Sequence, residues 1–352
     1  MIRCCEYFKE GLGIECMAFS LENSELEKQI DISIIIPHYN IPKMLKRLLD
    51  SIPVLKSIQV IVVDDNSTVD VDIYKSLCTT YKHVKFLSND KERNSAGICR
   101  NIGMLHAKGR WLLFADADDF FIEGFYTIIQ KYFEKDFDIV YFSPTSRDDI
   151  TGELSDRHIL LKRLASNYIQ SASIRNELRL RYKWTGPVSK LIKHEIVKAN
   201  NVTFDETPIA EDVAFSVRTA YYARNICAVD ETIYCINCRS ASLTKDASKD
   251  KFFILLDAKV NKDAFLRDKL SRDKVRALNL DGVAWLVVLR AIKARYGVKT
   301  IISTIRILRG NGTKLISRDL IDISWWWEYI VYHGLLIHAR KERKADKNEK
   351  RW

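Results

Sequence analysis

Short runs of apolar residues that each end in polar residues constrain the fold of this chain more than any other feature. Residues 32–36, 60–63, 84–87, 111–115 and 139–142 form such runs. Runs of this length that stop at polar clusters are typical of strands buried on both faces. Helix-like stretches at 43–51, 72–81, 95–108 and 123–131 separate them. The pattern therefore predicts an α/β fold with a mostly parallel sheet flanked by helices.

Polar residues gather where three of these strands end. Pro37, His38, Tyr39 and Asn40 follow the first strand, residues 64–67 follow the second, and residues 116–119 follow the fourth. In such sheets, ligands bind beyond the carboxyl ends of the strands. We therefore expect three polar loops along one edge of the sheet, where they would form one site.

Each acidic pair has both a structural and a chemical explanation. Asp116 and Asp118 could hold Mg²⁺ or Mn²⁺, since two nearby carboxylates need compensation, or Asp118 or Asp119 could cap the next helix. Residues 64–67 could form a turn or grip a base or ribose. Glu211 and Asp212 suit the first turn of a helix predicted at 210–223, but a positioned carboxylate can also accept a proton.

The order of these motifs resembles the family 2 glycosyltransferases over roughly residues 31–245. The resemblance is carried by the loops at 37–40 and 64–67, by the segments 96–103 and 109–119, and by the pair Glu211 and Asp212. It implies a GT-A (Rossmann-like) fold and an inverting, metal-dependent enzyme. Such an enzyme transfers a sugar from a nucleotide sugar, with UDP favoured, to a hydroxyl of a glycan or lipid-linked glycan.

The resemblance also implies roles for individual residues. Asp212, with Glu211 beside it, corresponds to the general base, and Asp118 to the residue that holds Mn²⁺ or Mg²⁺. Asp116 is expected near the ribose and the metal. Residues expected around the nucleotide are Pro37, Tyr39, Asn40, Asp65 and Arg93. Two positions depart from the family pattern: His38 stands where a small residue is common, and Asn66-Ser67 stands where Gly-Ser is frequent.

The sequence determines less about the residues that follow 150, where an acceptor could bind. Trp184 could stack on an acceptor sugar, and an equally good alternative is a buried core tryptophan. Residues 192–199 are predicted to be helical. Cys235 and Cys238 form a single C-x-x-C pair, which favours packing as small hydrophobic residues over zinc binding.

Charge separates the last hundred residues from the rest. Residues 251–352 contain 23 Lys and Arg and 11 Asp and Glu, a net charge of +12, whereas the first 250 residues contain 33 and 35, a net charge of −2. The sequence thus predicts an N-terminal accessory segment (1–30), a catalytic domain (31–245) and a basic helical region (246–352). We predict a cytoplasmic protein, peripheral on the inner face of the cell membrane.

The basic region has several candidate roles. Trp325, Trp326 and Trp327, with the cations at 340–344, suit a helix at an anionic membrane surface, and packing on the catalytic domain or a homo-oligomer contact remain open. Nucleic-acid binding would leave the acidic loops unexplained, so no nucleic-acid partner is expected. A sugar nucleotidyltransferase would need a Gly-rich phosphate loop after the first strand, which residues 37–40 do not provide.

Overall fold

The central element is a seven-stranded sheet with the strand order β3-β2-β1-β4-β8-β6-β9. The structure is a computed structural model that describes residues 30–238, 248–281 and 284–315. The strands of this sheet are β1 (Ile32–His38), β2 (Ile58–Asp64), β3 (Val84–Ser88), β4 (Trp111–Phe114), β6 (Ile139–Phe142), β8 (Lys190–Lys193) and β9 (Ile226–Val229). All but β8 run parallel to one another, so the predicted α/β fold with a mostly parallel sheet is confirmed.

Helices cover both faces of the sheet. They are α1 (Pro42–Asp50), α2 (Val71–Thr80), α3 (Ala96–His106), α4 (Phe125–Gln130), α5 (Ile159–Gln170), α6 (Ile174–Lys183), α7 (His194–Ala199) and α8 (Asp212–Tyr222). Side chains alternate across β1: Ile34 and Ile36 pack into the core under α1 and α4, whereas Ile35 packs into the core under α3 and α8. The sheet is therefore buried on both sides, which explains why its strands consist almost wholly of apolar residues.

Strand β8 differs from the prediction. The helix expected at 192–199 is shortened to α7, and the residues before it enter the sheet between β4 and β6, antiparallel to both. Leu191 and Ile192 are fully buried there. Two neighbouring apolar residues fit a helix or a strand equally well, and the gap between β4 and β6 decides the outcome.

A second, smaller sheet has three strands, all of which follow β4 in the sequence. It contains β5 (Phe120–Phe121), β7 (Thr145–Asp148) and β10 (Tyr234–Cys238) in the order β5-β10-β7. Cys235, in β10, is buried and Cys238 is half-buried, and both are free thiols. Tyr234 and Asn237 of β10 form hydrogen bonds with Asp116 and Asp119, so this sheet supports the loop 116–119.

Four further helices follow: α9 (Lys249–Lys269), α10 (Arg272–Leu278), α11 (Ala284–Lys293) and α12 (Val298–Gly310). Phe252, Leu256 and Val260 of α9 pack with residues of α11 and α12 in a third core. Leu266 at the other end of α9 belongs to the core beneath α8 instead. Within the described residues, no helix is both long and apolar enough to cross a bilayer. All of the predicted accessory segment (1–30) except Ile30, and the aromatic cluster at 325–327, lie outside the described residues.

Candidate active site

The loops that follow β1 and β2 are joined by a network of hydrogen bonds. His38 and Asp64 are paired at the ends of the two strands, with His38 Nδ1 2.7 Å from Asp64 Oδ1. Asn40 Oδ1 accepts hydrogen bonds from the backbone N–H groups of Thr68 and Val69, at 2.7 and 2.9 Å. The His38 side chain therefore fixes the position of one loop against the other, which a small residue could not do.

Asp65 lies in the interior of this edge. Its carboxyl accepts a hydrogen bond from Asn89 Nδ2 at 2.7 Å, and its backbone carbonyl accepts one from Asn94 Nδ2 at 3.0 Å. The Asp65 side chain also faces the thiol of Cys99 in α3, whose pKa is raised by burial and then by Asp65. Asp65 is thus held by groups from the third strand's loop and from α3.

Arg100 in α3 connects the two acidic segments that lie far apart in the sequence. Its Nη2 donates to Asp116 Oδ1 at 2.7 Å, and its Nη1 donates to Glu211 Oε1 at 2.8 Å. The guanidinium is only 5% exposed and lies 5.3 Å from the centre of the Phe204 ring. A planar guanidinium suits this arrangement, because its fork presents several N–H groups to two carboxylates at once.

Short contacts between α3 and the segment 204–211 explain how Glu211 reaches Arg100. Asn101 exchanges two hydrogen bonds with the backbone of Phe204, and Ser95 Oγ donates to the Thr207 carbonyl at 2.7 Å. A Cβ at Gly97 would lie 2.1 Å from the Asp205 carbonyl oxygen and 3.0 Å from Glu211 Cβ. The glycine is therefore required for the close approach of these segments.

Asp212 opens α8 next to Glu211 and is half-buried. The pKa of its carboxyl is raised to about 7: burial has the largest effect, the negative charges of Glu211 and Asp116 act in the same direction, and Arg100 opposes them. Lys190 is buried nearby, with Nζ donating to the Trp184 carbonyl at 2.8 Å. Burial lowers the pKa of Lys190 to about 7, against the field of Asp212. A carboxyl with such a pKa can accept a proton near neutral pH.

Hydrogen bonds between side chains and its backbone hold the loop 116–119 in place. The N–H of Asp116 donates to Tyr234 Oη at 2.8 Å, and the carbonyl of Asp118 accepts from Arg47 Nη2 at 2.6 Å. Asp119 is buried and accepts from the N–H of Asn237 at 2.8 Å. Burial, together with Asp116 and Asp118, raises the pKa of Asp119 well above its usual range. The alternative that Asp118 or Asp119 caps the next helix is wrong for both residues, because Gly124 is the residue that precedes α4.

The donor set of this loop fits a hard divalent cation. Asp116 and Asp118 are half-buried carboxylates two residues apart, and Arg100 engages one oxygen of Asp116. Among the described residues, no three His, Cys, Asp or Glu side chains form a complete metal site by themselves. Mg²⁺ and Mn²⁺ do not require one, since they commonly bind one or two carboxylates together with phosphate oxygens and water.

The other predicted site residues differ in how far their side chains are exposed. Pro37 is the second-last residue of β1 and is half-buried, and Tyr39, just after the end of that strand, is half exposed. Arg93 is an exposed side chain 4.0 Å from Glu206, while its carbonyl accepts from Asn89. Trp184 is completely buried against Tyr141, so its predicted stacking on an acceptor sugar is wrong and the core alternative is correct. Its ring fills space beneath Lys190.

Sequence analysis assigned no role to Arg100, Lys190 or Tyr234. Arg100 lies within the motif at 96–103, but an arginine on a helix usually faces solvent. Its burial between two carboxylates depends on residues 16 and 111 positions away. The signal that could have found it is the balance of charge, because the carboxylates predicted to gather at one edge of the sheet need a compensating cation.

Part of the chain matches a known family. Residues 33–189, somewhat less than half of the chain, match the model of "Glycosyl transferase family 2". The chain is similar to this family over that segment, which contains most strands of the large sheet. It is therefore an enzyme that transfers sugars, and the resemblance predicted from the motifs is confirmed.

Relatives and solved structures agree with this assignment. The chain is 26% identical to "Glycosyltransferase GlyG" of Streptococcus pneumoniae over 61% of this chain and 73% of GlyG. It is 29% identical to "Minor teichoic acid biosynthesis protein GgaB" of Bacillus subtilis, over 52% of this chain but only 20% of GgaB. The crystal structure of S. aureus TarS 1-349 in complex with UDP-GlcNAc superimposes with a TM-score of 0.53 at 19% identity, covering 81% of this chain and 93% of that one. The last comparison shows a shared fold.

Proposed function

We propose that this enzyme transfers a sugar from a nucleotide sugar, with UDP as the favoured nucleotide, to a hydroxyl group and inverts the anomeric configuration. The observation that carries the proposal is Arg100, which joins Asp116 to Glu211 and so sets the loop 116–119 beside Asp212. A nucleotide diphosphate and a proton acceptor are the two groups that such a transfer must bring together.

The proposed nucleotide subsite consists of the loops after β1 and β2. Pro37, Tyr39 and Asn40 would contact the base, and Asp65 would accept a hydrogen bond from it. Asp65 suits this role because Asn89 and Asn94 already fix its orientation. Arg93, exposed at the rim, would face the phosphates. The TarS structure named above contains UDP-GlcNAc, which supports a uridine nucleotide.

Asp118 and Asp116 would hold Mn²⁺ or Mg²⁺, which when bound neutralises charge on the departing diphosphate. Asp212 would accept the proton of the attacking acceptor hydroxyl, and its raised pKa suits a base that works near neutral pH. Glu211, held by Arg100, would keep the start of α8 in place. Direct displacement by the acceptor oxygen on the face opposite the nucleotide inverts the anomeric carbon.

We propose a surface glycan or a lipid-linked glycan as the acceptor. The name of GgaB refers to teichoic acid biosynthesis, and another relative, 28% identical over 55% of this chain, is named "Poly(ribitol-phosphate) beta-glucosyltransferase". Such acceptors would place the enzyme in the cytoplasm, peripheral to the membrane. Residues 31–245 would form the catalytic domain, and 246–352 a basic region whose described helices have a core of their own.

The test is a panel of UDP-, GDP- and dTDP-sugars, with nucleotide release measured in the presence of Mn²⁺ or after its chelation. We expect one UDP-sugar to be hydrolysed slowly and only with the metal. Asp212→Asn should fold normally and lose at least about 100-fold in transfer to an added acceptor, because a general base typically contributes 10²–10⁴-fold.

The matched control is Asp72→Asn, since Asp72 is an exposed aspartate in the first turn of α2 to which the proposal gives no role. This variant should transfer at the wild-type rate. Metal-independent release, or an Asp212→Asn enzyme that transfers sugar at more than a tenth of the wild-type rate, would contradict the proposal.

A further inference from the structure

Residues 284–315 carry an unbalanced positive charge. This stretch contains seven Lys and Arg and no Asp or Glu. All seven side chains are exposed, and none forms an ion pair with another described residue; they are Arg290, Lys293, Arg295, Lys299, Arg306, Arg309 and Lys314. The charge is therefore available to an acidic partner.

The same two helices expose an unusual amount of apolar surface. The exposed apolar side chains are Trp285 (37%), Leu289 (39%) and Ile292 (46%) on α11 and Val298 (71%) and Ile302 (50%) on α12. Spacings of three and four residues place those of each helix on one side. The buried residues of each helix, such as Val288 and Leu308, point into the third core instead. The exposed stripes are thus not needed for packing within the described residues.

Few partners match both properties. Nucleic acid would complement the charge, but exposed Leu, Ile and Val offer little to a phosphate backbone. An anionic bilayer presents dense negative charge and, a few ångströms deeper, hydrocarbon. Amphipathic helices with cations beside an apolar stripe bind in that interface. The two helices together show this combination.

We propose that α11 and α12 form a membrane-docking face, defined by Trp285, Leu289, Ile292, Val298, Ile302 and the seven cations between 290 and 314, which binds the surface of anionic phospholipid bilayers. The biological role of this face rests on the proposed function, because binding to the bilayer would bring the enzyme to a lipid-linked acceptor. It assigns membrane binding to described helices of the third core, rather than to the aromatic cluster at 325–327.

The experiment is co-sedimentation of the full chain with vesicles of phosphatidylglycerol and phosphatidylcholine, compared with phosphatidylcholine alone. We expect binding only to the anionic vesicles, and weaker binding at high salt, since screening acts on exposed charges. The double variants Leu289→Ser/Ile302→Ser and Lys293→Glu/Arg306→Glu should each bind at least about tenfold more weakly.

The controls are Leu105→Ser, at an 84% exposed position in α3, and Lys56→Glu, at an exposed position before β2. Both should bind vesicles like the wild type. Hydrolysis of the UDP-sugar without acceptor is measured on every protein and should be unchanged in the docking-face variants, so a failure of the docking face and a failure of the proposed function are distinguishable.

Three outcomes would overturn the inference. Equal vesicle binding by wild type and both double variants would locate the membrane contact elsewhere in the chain. A shift from dimer to monomer in the double variants by sedimentation velocity, without vesicle binding by the wild type, would identify the face as a contact between copies. Tighter binding to an oligonucleotide than to anionic vesicles would identify it as a nucleic-acid surface.

Discussion

Asp212 derives its chemistry from its surroundings. Burial disfavours its charged form, and two neighbouring carboxylates add to that effect, while the buried guanidinium of Arg100 opposes them. The result is a pKa of about 7, some three units above that of an ordinary aspartate. Because Arg100 contacts both Asp116 and Glu211, this value depends on the same contact that joins the two acidic segments.

The pH dependence of transfer follows from this pKa. A general base acts only when it is deprotonated, so kcat/KM should rise with pH up to about 7, roughly tenfold per pH unit well below that value, and level off above it. The measurement is kcat/KM between about pH 5.5 and 8.5 at saturating Mn²⁺. The residual activity of Asp212→Asn should not show this rise. A flat profile in the wild type would show that Asp212 is not the base, or that its carboxyl is already ionised throughout this range.

Helix α3 organises the site at the scale of elements. Its N-cap residue and first two turns contact the Asp65 loop through Cys99, the loop 116–119 through Arg100, and the segment 204–211 through Ser95 and Asn101. Elements that are distant in sequence therefore share one support. A change that displaces the start of α3 should therefore disturb both the proposed nucleotide subsite and the position of Asp212, the proposed general base.

Gly97→Ala tests this role. The new Cβ would meet the Asp205 carbonyl at 2.1 Å, and backbone cannot yield as a flexible side chain can. We expect the free energy of unfolding to fall by about 1–3 kcal/mol, as for other overpacked positions, and transfer to fall more than about tenfold. Urea unfolding and initial rates measure the two effects.

Gly310→Ala is the matched control, because no atom lies within 4 Å of a Cβ at that helical position. It should leave the rate unchanged and stabilise the chain by up to about 1 kcal/mol, the difference in helix propensity between the residues. If Gly97→Ala proves as harmless as the control, the close approach of α3 to residues 205–211 is not required.

The elements differ in how far the sequence predicts them. Strands β1, β2 and β4 could be predicted because runs of mainly apolar residues end at polar loops, and their parallel order brings those loops to one edge. Strand β8 could not, because Leu191 and Ile192 alone favour no periodicity and only the space between β4 and β6 makes them a strand. The same limit applies to Arg100 and Trp184, whose burial depends on contacts remote in sequence.

At the scale of the whole molecule, charge and function are divided along the chain. The acidic loops lie at the carboxyl edge of the large sheet, whereas the unpaired cations of the described residues 284–315 lie on helices that have a separate core. Helix α9 connects the two, since Leu256 packs in the third core and Leu266 packs beneath α8. We therefore expect the proposed donor binding and the proposed membrane binding to respond to different substitutions.

We propose that carboxylates from separate loops meet where a divalent cation holds a nucleotide diphosphate. Titration calorimetry of UDP into the wild type and Asp118→Asn, with and without Mn²⁺, tests it most directly, with Asp72→Asn as the control. We expect Mn²⁺ to tighten UDP binding at least about tenfold in the wild type and the control, and to have no such effect in Asp118→Asn, because the cation joins that carboxylate to the phosphates. Equal UDP affinity with and without Mn²⁺ in the wild type, or an undiminished effect of Mn²⁺ in Asp118→Asn, would contradict the account.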